Sequence, residues 1–355
     1  MRPIVHIGYH KTATTWFQRS VNPHALSHRW IPRVRVQEAL LDPSGMAFDA
    51  EKARALLIDG DGGRPPLLCE ENLSGYIHNG GLHGFLPPAV AERIHAVLPD
   101  AQIVIFVRSQ VSMIAACYRQ YVRGGGTHAV HRYLFPTLYL RGAYAQPFKV
   151  PRFSFDHFEY DRLIALYDAL FGRENVHVYP FEDLSDPAAM LARMETDLEL
   201  RLDRDRVRFD RPNASWTDAL LPVARVLNHF TARTVEDKEH VAHIPGFYVA
   251  RSALLSALGR VLPRRKGSPL LGTRLERWIE GRFAASNARL RELRPGLLPE
   301  DLYPSGESEL EAPPAADTPE RPPGLTLVGL RWSLYAIALL LMIAGAVALV
   351  RLTFG

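Results

Sequence analysis

The chain has 355 residues, of which 47% are hydrophobic and 23% are charged, and its formal net charge is +4. This composition allows a sizeable core, and the mild charge without any block of like charges disfavours a nucleic-acid-binding protein and favours an anionic small ligand or a membrane surface. The two cysteines, Cys69 and Cys117, form no CxxC pair. Zinc and redox motifs of that kind are therefore excluded, and we expect two buried, reduced thiols in a cytosol-facing domain.

Strand and helix signals alternate along the chain. Short runs rich in Val, Ile and Leu predict strands buried on both faces at 3–8, 65–71, 102–108 and 175–184. Apolar residues at helical spacing predict helices at 14–21, 50–58, 87–98, 111–122, 155–171, 187–197, 216–232, 248–260 and 272–293. Residues 22–49 carry neither signal and are predicted to be irregular. The alternation predicts an α/β fold, a parallel sheet covered by helices on both faces.

The composition changes after residue 302. Residues 303–324 are rich in proline and acidic side chains, which predicts a semi-extended linker. The segment 325–351 contains an uncharged core, WSLYAIALLLMIAGAVALV at 332–350, which at ~1.5 Å per residue is long enough to span the ~30 Å hydrocarbon layer. We therefore predict a domain over 1–302, a linker, and one C-terminal transmembrane helix. The chain starts directly with a strand, so no signal peptide is expected, and the domain is expected to face the cytoplasm, at the inner membrane in a bacterium.

The first strand leads into a loop with one lysine and several hydroxyl side chains, in the stretch IGYHKTATTWFQ. Gly8 lets the backbone leave the strand sharply, and Lys11 can place a positive charge on an anion. Three hydroxyls add to the N–H groups of the following helical turn: Thr12, Thr14 and Thr15. This junction is typical of a phosphate- or sulfate-binding loop, with a capped helix and a surface lysine as the alternative.

The same loop departs from the pattern of ATP-binding P-loops. That pattern, GxxxxGK[ST], requires glycine directly before the lysine, and this chain has His10 there. Gly8 is too close to the lysine to be the leading glycine, and no magnesium-binding aspartate follows the third strand, which ends in FVRS. Because ligands of parallel sheets bind beyond the carboxyl ends of the strands, we expect the loops after the first two strands and Arg108 along one edge.

Several stretches, in register over about residues 3–295, resemble the sulfotransferases. GYHKTATTWFQ resembles their 5′-phosphosulfate loop, and IVIFVRSQVSMIAACYRQYVRGG resembles their 3′-phosphate segment. FGRENVHVYPFEDLSDP is similar to a later strand of the family, and RPNASWTDALLPVARVLNHF and RFAASNARLRE are similar to C-terminal stretches of bacterial-type members. The resemblance implies the P-loop-NTPase-like, three-layer sulfotransferase fold, and 3′-phosphoadenosine 5′-phosphosulfate as donor without a metal.

The resemblance also implies which residues bind the donor. The phosphosulfate would be held by the loop residues His10, Lys11, Thr12, Ala13, Thr14 and Thr15. Arg108 matches the residue that binds the 3′-phosphate, whose geometry suits a guanidinium. The family usually has a serine eight positions later, where this chain has Ala116, so Ser109 or Ser112 is expected to substitute. Two residues of the NAS stretch are assigned to the nucleotide or acceptor site, Asn213 and Ser215.

Sulfuryl transfer needs a positive charge on the leaving phosphate and a base for the acceptor hydroxyl. Lys11 is the natural source of the charge. Family members use a Glu or a His as base, and Glu71 with Tyr76 matches the Glu-x-x-x-x-Tyr spacing of glycan sulfotransferases, whereas Glu70 lies on the opposite face of its strand. Three histidines remain alternatives: His10, which could instead contact the sulfate, His78 and His83.

We therefore predict a membrane-tethered sulfotransferase that acts on a hydroxyl of a glycan, a glycolipid or another membrane-associated acceptor, with no nucleic-acid partner. One alternative is a kinase-like phosphotransferase. Another is a tail-anchored relative without catalytic activity, which Ala116 favours. The stretch 260–274 is basic, and we hypothesise that it rests on anionic lipid, with a solvated loop as the alternative.

Overall fold

The computed structural model describes residues 1–58, 63–208, 217–231, 233–261, 270–306 and 312–314. The strands in these ranges are β1 Ile4–Gly8, β2 Arg29–Trp30, β3 Pro66–Cys69, β4 Gln102–Val107 and β5 Val176–Pro180. The α-helices are α1 Thr14–Trp16, α2 Arg33–Leu40, α3 Ala50–Ile58, α4 Gly80–His83, α5 Leu86–Val97, α6 Gln110–Arg123, α7 Val130–Leu134, α8 Tyr160–Phe171, α9 Pro187–Asp197, α10 Leu221–Leu227, α11 Phe247–Val261 and α12 Thr273–Leu293.

The five strands form one parallel sheet in the order β2-β3-β1-β4-β5. Every residue of β1 and of β4 is buried, because helices flank the sheet, and this explains why both strands are mostly apolar instead of alternating between apolar and polar residues. The predicted parallel α/β fold, with strands at the four predicted positions, is confirmed. A core cluster beside the sheet joins aromatic and sulfur side chains from several elements, including Phe17, Phe106, Tyr179 and Met190.

The central position of β1 determines where a site can form. Val5 lies opposite Leu68 of β3 on one side and opposite Ile103 of β4 on the other. Because all three strands run in the same direction, their carboxyl ends meet at one edge of the sheet. The loops that follow these strands therefore emerge side by side, as the sequence predicted.

The prediction that residues 22–49 are irregular was wrong, because this segment contains β2 and α2. β2 has only two residues, which are half-buried at the edge of the sheet, so it is too short to produce a periodic pattern. α2 buries only Val36, Ala39 and Leu40, and its amino-terminal turn is rich in arginine. The local sequence therefore lacks both an extended apolar stripe and a side-chain cap before the helix.

The chain divides into two compact units. The first comprises the described residues of 1–117, 134–214 and 273–312 and contains the whole sheet. The second comprises the described residues of 118–133, 215–272 and 313–355, and α10 and α11 belong to it. All residues that form the candidate site below lie in the first unit.

The start of the predicted linker 303–324 is part of the first unit. Tyr303 is fully buried, and its hydroxyl donates a hydrogen bond to Glu182 Oε2 at 2.8 Å. The carbonyl oxygen of Pro304 accepts a hydrogen bond from Asn287 Nδ2 at 3.0 Å. The packed region thus continues to at least residue 304.

The predicted membrane anchor, 325–351 with its core at 332–350, lies outside the described residues. None of the helices in the described ranges combines the length and the apolarity that a bilayer crossing requires.

Candidate anion-binding and transfer site

A glycine at the end of β1 brings the following loop against the end of β3. Gly8 has φ +101°, a conformation that side-chain-bearing residues rarely adopt. A Cβ atom added to it would lie 3.2 Å from Glu71 Cα and 3.3 Å from the His10 nitrogen. Only glycine therefore allows the loop after β1 and the first turn after β3 to approach this closely.

The loop from Tyr9 to Ala13 has an unusual backbone. Lys11 and Ala13 both have left-handed φ values, 62° and 66°, and Thr12 between them does not. Alternation of this kind curves the backbone so that successive N–H groups can face one anion. The Thr12 hydroxyl is buried and donates to the Tyr9 carbonyl, so this residue offers an anion its N–H group and not its side-chain proton.

A helical turn follows the loop directly. α1 continues into a π-helical turn over Phe17–Val21, so the predicted helix at 14–21 is present in an irregular form. Thr14 is buried, whereas Thr15 is partly exposed. The carbonyl of Ala13 accepts the N–H of Trp16 at 2.8 Å, which fixes the junction between loop and helix.

Arg108, directly after β4, is joined to the loop. Its Nη1 donates to the Lys11 carbonyl at 2.9 Å, and its Nε donates to Ser112 Oγ at 2.9 Å. The guanidinium also stacks on Phe181, 4.4 Å from the ring centroid. Of the two serines expected to substitute for the missing family serine, Ser112 is the one that contacts Arg108. Ala116 is buried on α6.

The second candidate serine has a different environment. The Ser109 N–H donates to Glu182 Oε1 at 3.0 Å, and the other oxygen of this carboxylate accepts the Tyr303 hydroxyl. The backbone after Arg108 is therefore held by Glu182, which lies directly after β5 and Phe181.

Glu70 is a fully buried carboxylate with several hydrogen-bond donors around it. Arg33 of α2 forms an ion pair with it through Nε and donates a second hydrogen bond through Nη2 at 3.1 Å. Gln37 Nε2 donates at 2.8 Å, and the backbone and side-chain nitrogens of Asn72 donate at 2.9 and 2.8 Å. With both oxygens occupied in this way, Glu70 connects α2 to the end of β3.

Glu71 faces the site edge and retains some exposure, 16% of its side chain. Its Oε1 lies 3.3 Å from Arg33 Nη2, and its Oε2 accepts from Gln18 Nε2 at 3.1 Å. Gln18 is held in turn by the Cys69 carbonyl, at 3.0 Å. The two oxygens of an ionised carboxylate have about four lone-pair sites in total. These two contacts therefore leave lone pairs of Glu71 that can accept a proton from a substrate.

Asn72 determines the tautomer of His10. Because Asn72 Nδ2 donates to Glu70, its Oδ1 is the atom that faces His10 Nε2, at 3.0 Å. An amide oxygen only accepts, so His10 Nε2 must carry the proton and Nδ1 must carry a lone pair. His10 Nδ1 is buried and has no hydrogen-bond partner among the described residues.

Several histidines near the loop are neutral. Burial lowers the pKa of His10 to about 3, and the same cause lowers the pKa of His78 and of His157 to about 3. Lys11 disfavours the protonated form of His10 and of His78 further. His83, the other histidine considered as a base, is exposed.

The buried histidines predict acid sensitivity. The pKa of His6 is also lowered to about 3 by burial, from 6.5. In the unfolded chain each such histidine takes up a proton as the pH falls below 6.5, whereas in the folded chain it does so only near pH 3. The free energy of unfolding should therefore be highest above pH 6.5 and decrease between that value and about 3, by up to about 1.4 kcal/mol per pH unit for each histidine.

Urea titrations between about pH 6 and about pH 4 measure this slope. His6→Gln should reduce it by nearly one proton per molecule. The matched control variant is His83→Gln, which replaces an exposed histidine by the same side chain. An unaltered slope in His6→Gln would show that His6 is not a buried neutral group.

Both cysteines are free and buried. Burial raises the pKa of the Cys69 thiol and raises the pKa of the Cys117 thiol to about 12. Both thiols are protonated and form no disulfide, as expected from the sequence. Within the described ranges no three His, Cys, Asp or Glu side chains are grouped so that they could hold a metal ion.

The structure brings together the loop residues 10–15, Glu71 and Arg108, whereas Asn213 and Ser215 lie outside the described residues. Sequence reasoning missed four residues that position these groups: Gln18, Arg33, Asn72 and Phe181. Phe181 could have been found, because it directly follows the strand next to Arg108. Arg33 could have been found only by recognising α2, since its partners are 37 and 38 residues away along the sequence.

The chain is similar to known proteins among the solved structures. No family model matches the chain, and no curated protein matches it. Among solved structures the chain is similar to a sulfotransferase from Alicyclobacillus acidocaldarius, with 19% identity and a TM-score of 0.42 over 73% of this chain and 96% of that chain. One fold can support different reactions, so this likeness assigns no activity to the chain.

Proposed function

We propose that the chain is a sulfotransferase that moves the sulfuryl group of 3′-phosphoadenosine 5′-phosphosulfate to a hydroxyl of a glycan, a glycolipid or another membrane-associated acceptor. The observation that carries the proposal is the hydrogen bond from Arg108 Nη1 to the Lys11 carbonyl, at 2.9 Å. It joins a strand-end guanidinium to the lysine-bearing loop, and Glu71 lies against the start of the same loop.

The donor has two separate anionic groups, and the site has two cationic positions. The curved backbone at Lys11 and Ala13, with the lysine charge, suits the phosphosulfate. Arg108 suits the 3′-phosphate, and Ser112 lies beside it in place of the serine that Ala116 replaces. A His in place of the P-loop glycine disfavours ATP with magnesium, because that glycine lets the backbone approach the polyphosphate.

The reaction balances without a further reactant. The acceptor oxygen attacks sulfur, the bond from sulfur to the phosphate oxygen breaks, and the leaving 3′-phosphoadenosine 5′-phosphate keeps the electron pair. Lys11 stabilises the negative charge that develops on this phosphate. The hydroxyl proton moves to a base, for which we propose Glu71, and the lone pair on His10 Nδ1 is the alternative acceptor.

We also propose that the segment 325–351 tethers the catalytic unit to a membrane, with this unit on the cytoplasmic side. The support is the uncharged core at 332–350 in the sequence. A tether of this kind would favour acceptors that are themselves lipid-linked or assembled at the membrane.

The proposal is tested by calorimetry on the full chain in detergent, with 3′-phosphoadenosine 5′-phosphate as one ligand and ATP with magnesium as the other. We expect the bisphosphate to bind and ATP not to bind. Arg108→Met should weaken bisphosphate binding about tenfold to a hundredfold, because a hydrogen bond to a charged group contributes about 1.5–3 kcal/mol. Arg119→Met, which removes an arginine of the second unit that is paired with Asp218, is the control.

Three results would contradict the proposed sulfotransferase activity. Binding of ATP in preference to the bisphosphate would identify a phosphotransferase. Binding of neither ligand would mean that the loop does not bind an anion and only caps the following helix, with Lys11 as a surface lysine. Binding of the bisphosphate, without transfer of labelled sulfate to any acceptor of a glycan and glycolipid panel, would identify an inactive relative.

A further inference from the structure

Two uncharged side chains of the second unit, Asn228 and Tyr248, are each surrounded by cations. Arg251 of α11 is 1% exposed, and its Nη1 donates a hydrogen bond to Asn228 Oδ1. Lys238 Nζ donates to the backbone carbonyl of the same asparagine at 3.0 Å, and it also donates to the Thr231 carbonyl. One fully buried asparagine therefore accepts hydrogen bonds from two positively charged side chains.

The Tyr248 ring is contacted by two guanidinium groups. Arg251 Cζ lies 4.5 Å from the ring centroid, and Arg233 Cζ lies 4.1 Å from it. The Arg123 carbonyl accepts both the Tyr248 hydroxyl at 2.9 Å and Arg251 Nη2 at 3.0 Å, so Arg251 is enclosed. Arg233 is exposed and Lys238 is half-buried, and both can therefore be reached from solvent. We call these three residues, Arg233, Lys238 and Arg251, the cation cluster.

The carboxylates that flank the lysine of the cluster in the sequence are engaged with other residues. Asp237 Oδ1 faces His128 Nε2 at 3.2 Å, and Glu239 forms an ion pair with Arg132. In the part of the chain that the structure describes, no carboxylate forms an ion pair with this lysine or with Arg233. Positive charge that leaves water without a negative partner is costly, so the cluster favours an anion from outside the chain.

The members of the cluster also act against one another. Burial lowers the pKa of Arg251, and the charges of Arg233 and Arg123 lower this pKa further. Burial lowers the pKa of Lys238 as well, and the charge of Arg251 adds to the effect. Because the fold brings like charges together, a bound anion would relieve their repulsion and stabilise the second unit.

We propose that Arg233 and Lys238, supported by the buried Arg251, bind a phosphate or sulfate group at the surface of the second unit. A guanidinium offers two parallel N–H donors to such a group, and an ammonium adds a compact positive charge. The chemistry is the same whether the group is a free anion or part of a lipid headgroup. The inference does not depend on the proposed reaction, because no residue of the sheet-edge site takes part.

Amide hydrogen exchange of the full chain in detergent, read by mass spectrometry, tests this site. Inorganic phosphate is compared with chloride at the same ionic strength, so that general screening of charge is equal in both samples. We expect slower exchange of the amides of 247–258 in phosphate. At a phosphate concentration of ten times the Kd, exchange through openings that release the anion should be about tenfold slower.

Three variants locate the effect. Arg233→Gln should weaken phosphate binding about tenfold, because it removes a hydrogen bond to a charged group, and an unchanged melting temperature in chloride confirms that it is folded. Arg35→Gln replaces an exposed arginine of the first unit and should keep the full protection of 247–258. Arg108→Met alters the sheet-edge site and should also keep this protection, so the failure of either proposal is distinguishable from the failure of the other.

Vesicles distinguish the two sources of the group. The full chain is incubated with vesicles of phosphatidylglycerol or of phosphatidylcholine, without inorganic phosphate. Slower exchange of 247–258 with phosphatidylglycerol alone would support the proposal with a headgroup phosphate as the ligand. Slower exchange with inorganic phosphate and with neither vesicle type would support it with a free anion as the ligand.

Three outcomes would overturn the proposal. The first is equal exchange of 247–258 in phosphate, in chloride and with both vesicle types. The second is protection that Arg233→Gln and Arg35→Gln reduce by the same factor, since the effect would then come from the overall charge of the protein. The third is protection that is lost in Arg108→Met, which would place the bound phosphate at the sheet edge.

Discussion

Replacement of Arg33 by methionine is expected to lower the free energy of unfolding by about 3–5 kcal/mol. Arg33 is the cation paired with Glu70, whose side chain has no exposure to solvent. Removal of the arginine leaves a buried carboxylate with only the neutral donors of Gln37 and Asn72. Methionine keeps most of the aliphatic stem, so the loss reports mainly the missing charge.

A double-mutant cycle in urea or guanidinium separates charge from packing. Arg33→Met combined with Glu70→Gln should recover part of the loss, because no charge then remains buried. Arg35→Met on the same helix is the matched control, since Arg35 is exposed and its replacement should change stability by no more than about 0.5 kcal/mol. A loss below about 1 kcal/mol in Arg33→Met would mean that Glu70 is stabilised by its neutral donors.

The strands and the site loop could be predicted because their signals are local. β1 and β4 are mostly apolar runs. Lys11 comes three residues after β1, and Arg108 comes directly after β4. Because the strands are parallel, both residues must then lie at the same edge of the sheet, and no knowledge of distant contacts is needed to predict this. The resemblance of the loop to known phosphosulfate loops depends on the same contiguous residues.

The arrangement of the carboxylates could not be predicted, because it depends on contacts between distant segments. Glu70 and Glu71 are adjacent in sequence, yet one is enclosed by Arg33, Gln37 and Asn72 and the other is partly exposed at the site. Alternation along an extended segment predicts that the two side chains point in opposite directions. It does not reveal which of the two carboxylates is buried. That difference arises from α2, which carries too short an apolar pattern to be recognised.

Replacement of Lys11 by methionine is expected to lower kcat for sulfate transfer by about 10²–10³, with a much smaller effect on bisphosphate affinity. The negative charge on the bridging phosphate oxygen develops as the bond to sulfur breaks, so a lysine that faces this oxygen acts mainly in the transition state. Methionine retains the side-chain length. The φ of 62° is equally unfavourable for both residues, so the backbone cost is unchanged.

Single-turnover transfer of labelled sulfate, together with calorimetric binding of 3′-phosphoadenosine 5′-phosphate, separates the two roles assigned to this edge of the sheet. Lys11→Met should reduce the rate more than the affinity. Arg108→Met should reduce the affinity more than the rate, because Arg108 is assigned to the 3′-phosphate, which does not take part in the transfer. The exposed Lys149 supplies the control, Lys149→Met, for which neither quantity should change. If Lys11→Met instead lost affinity and rate by the same factor, the lysine would bind the donor equally in both states, and the stabilisation of the leaving group would have to come from the N–H groups of the loop.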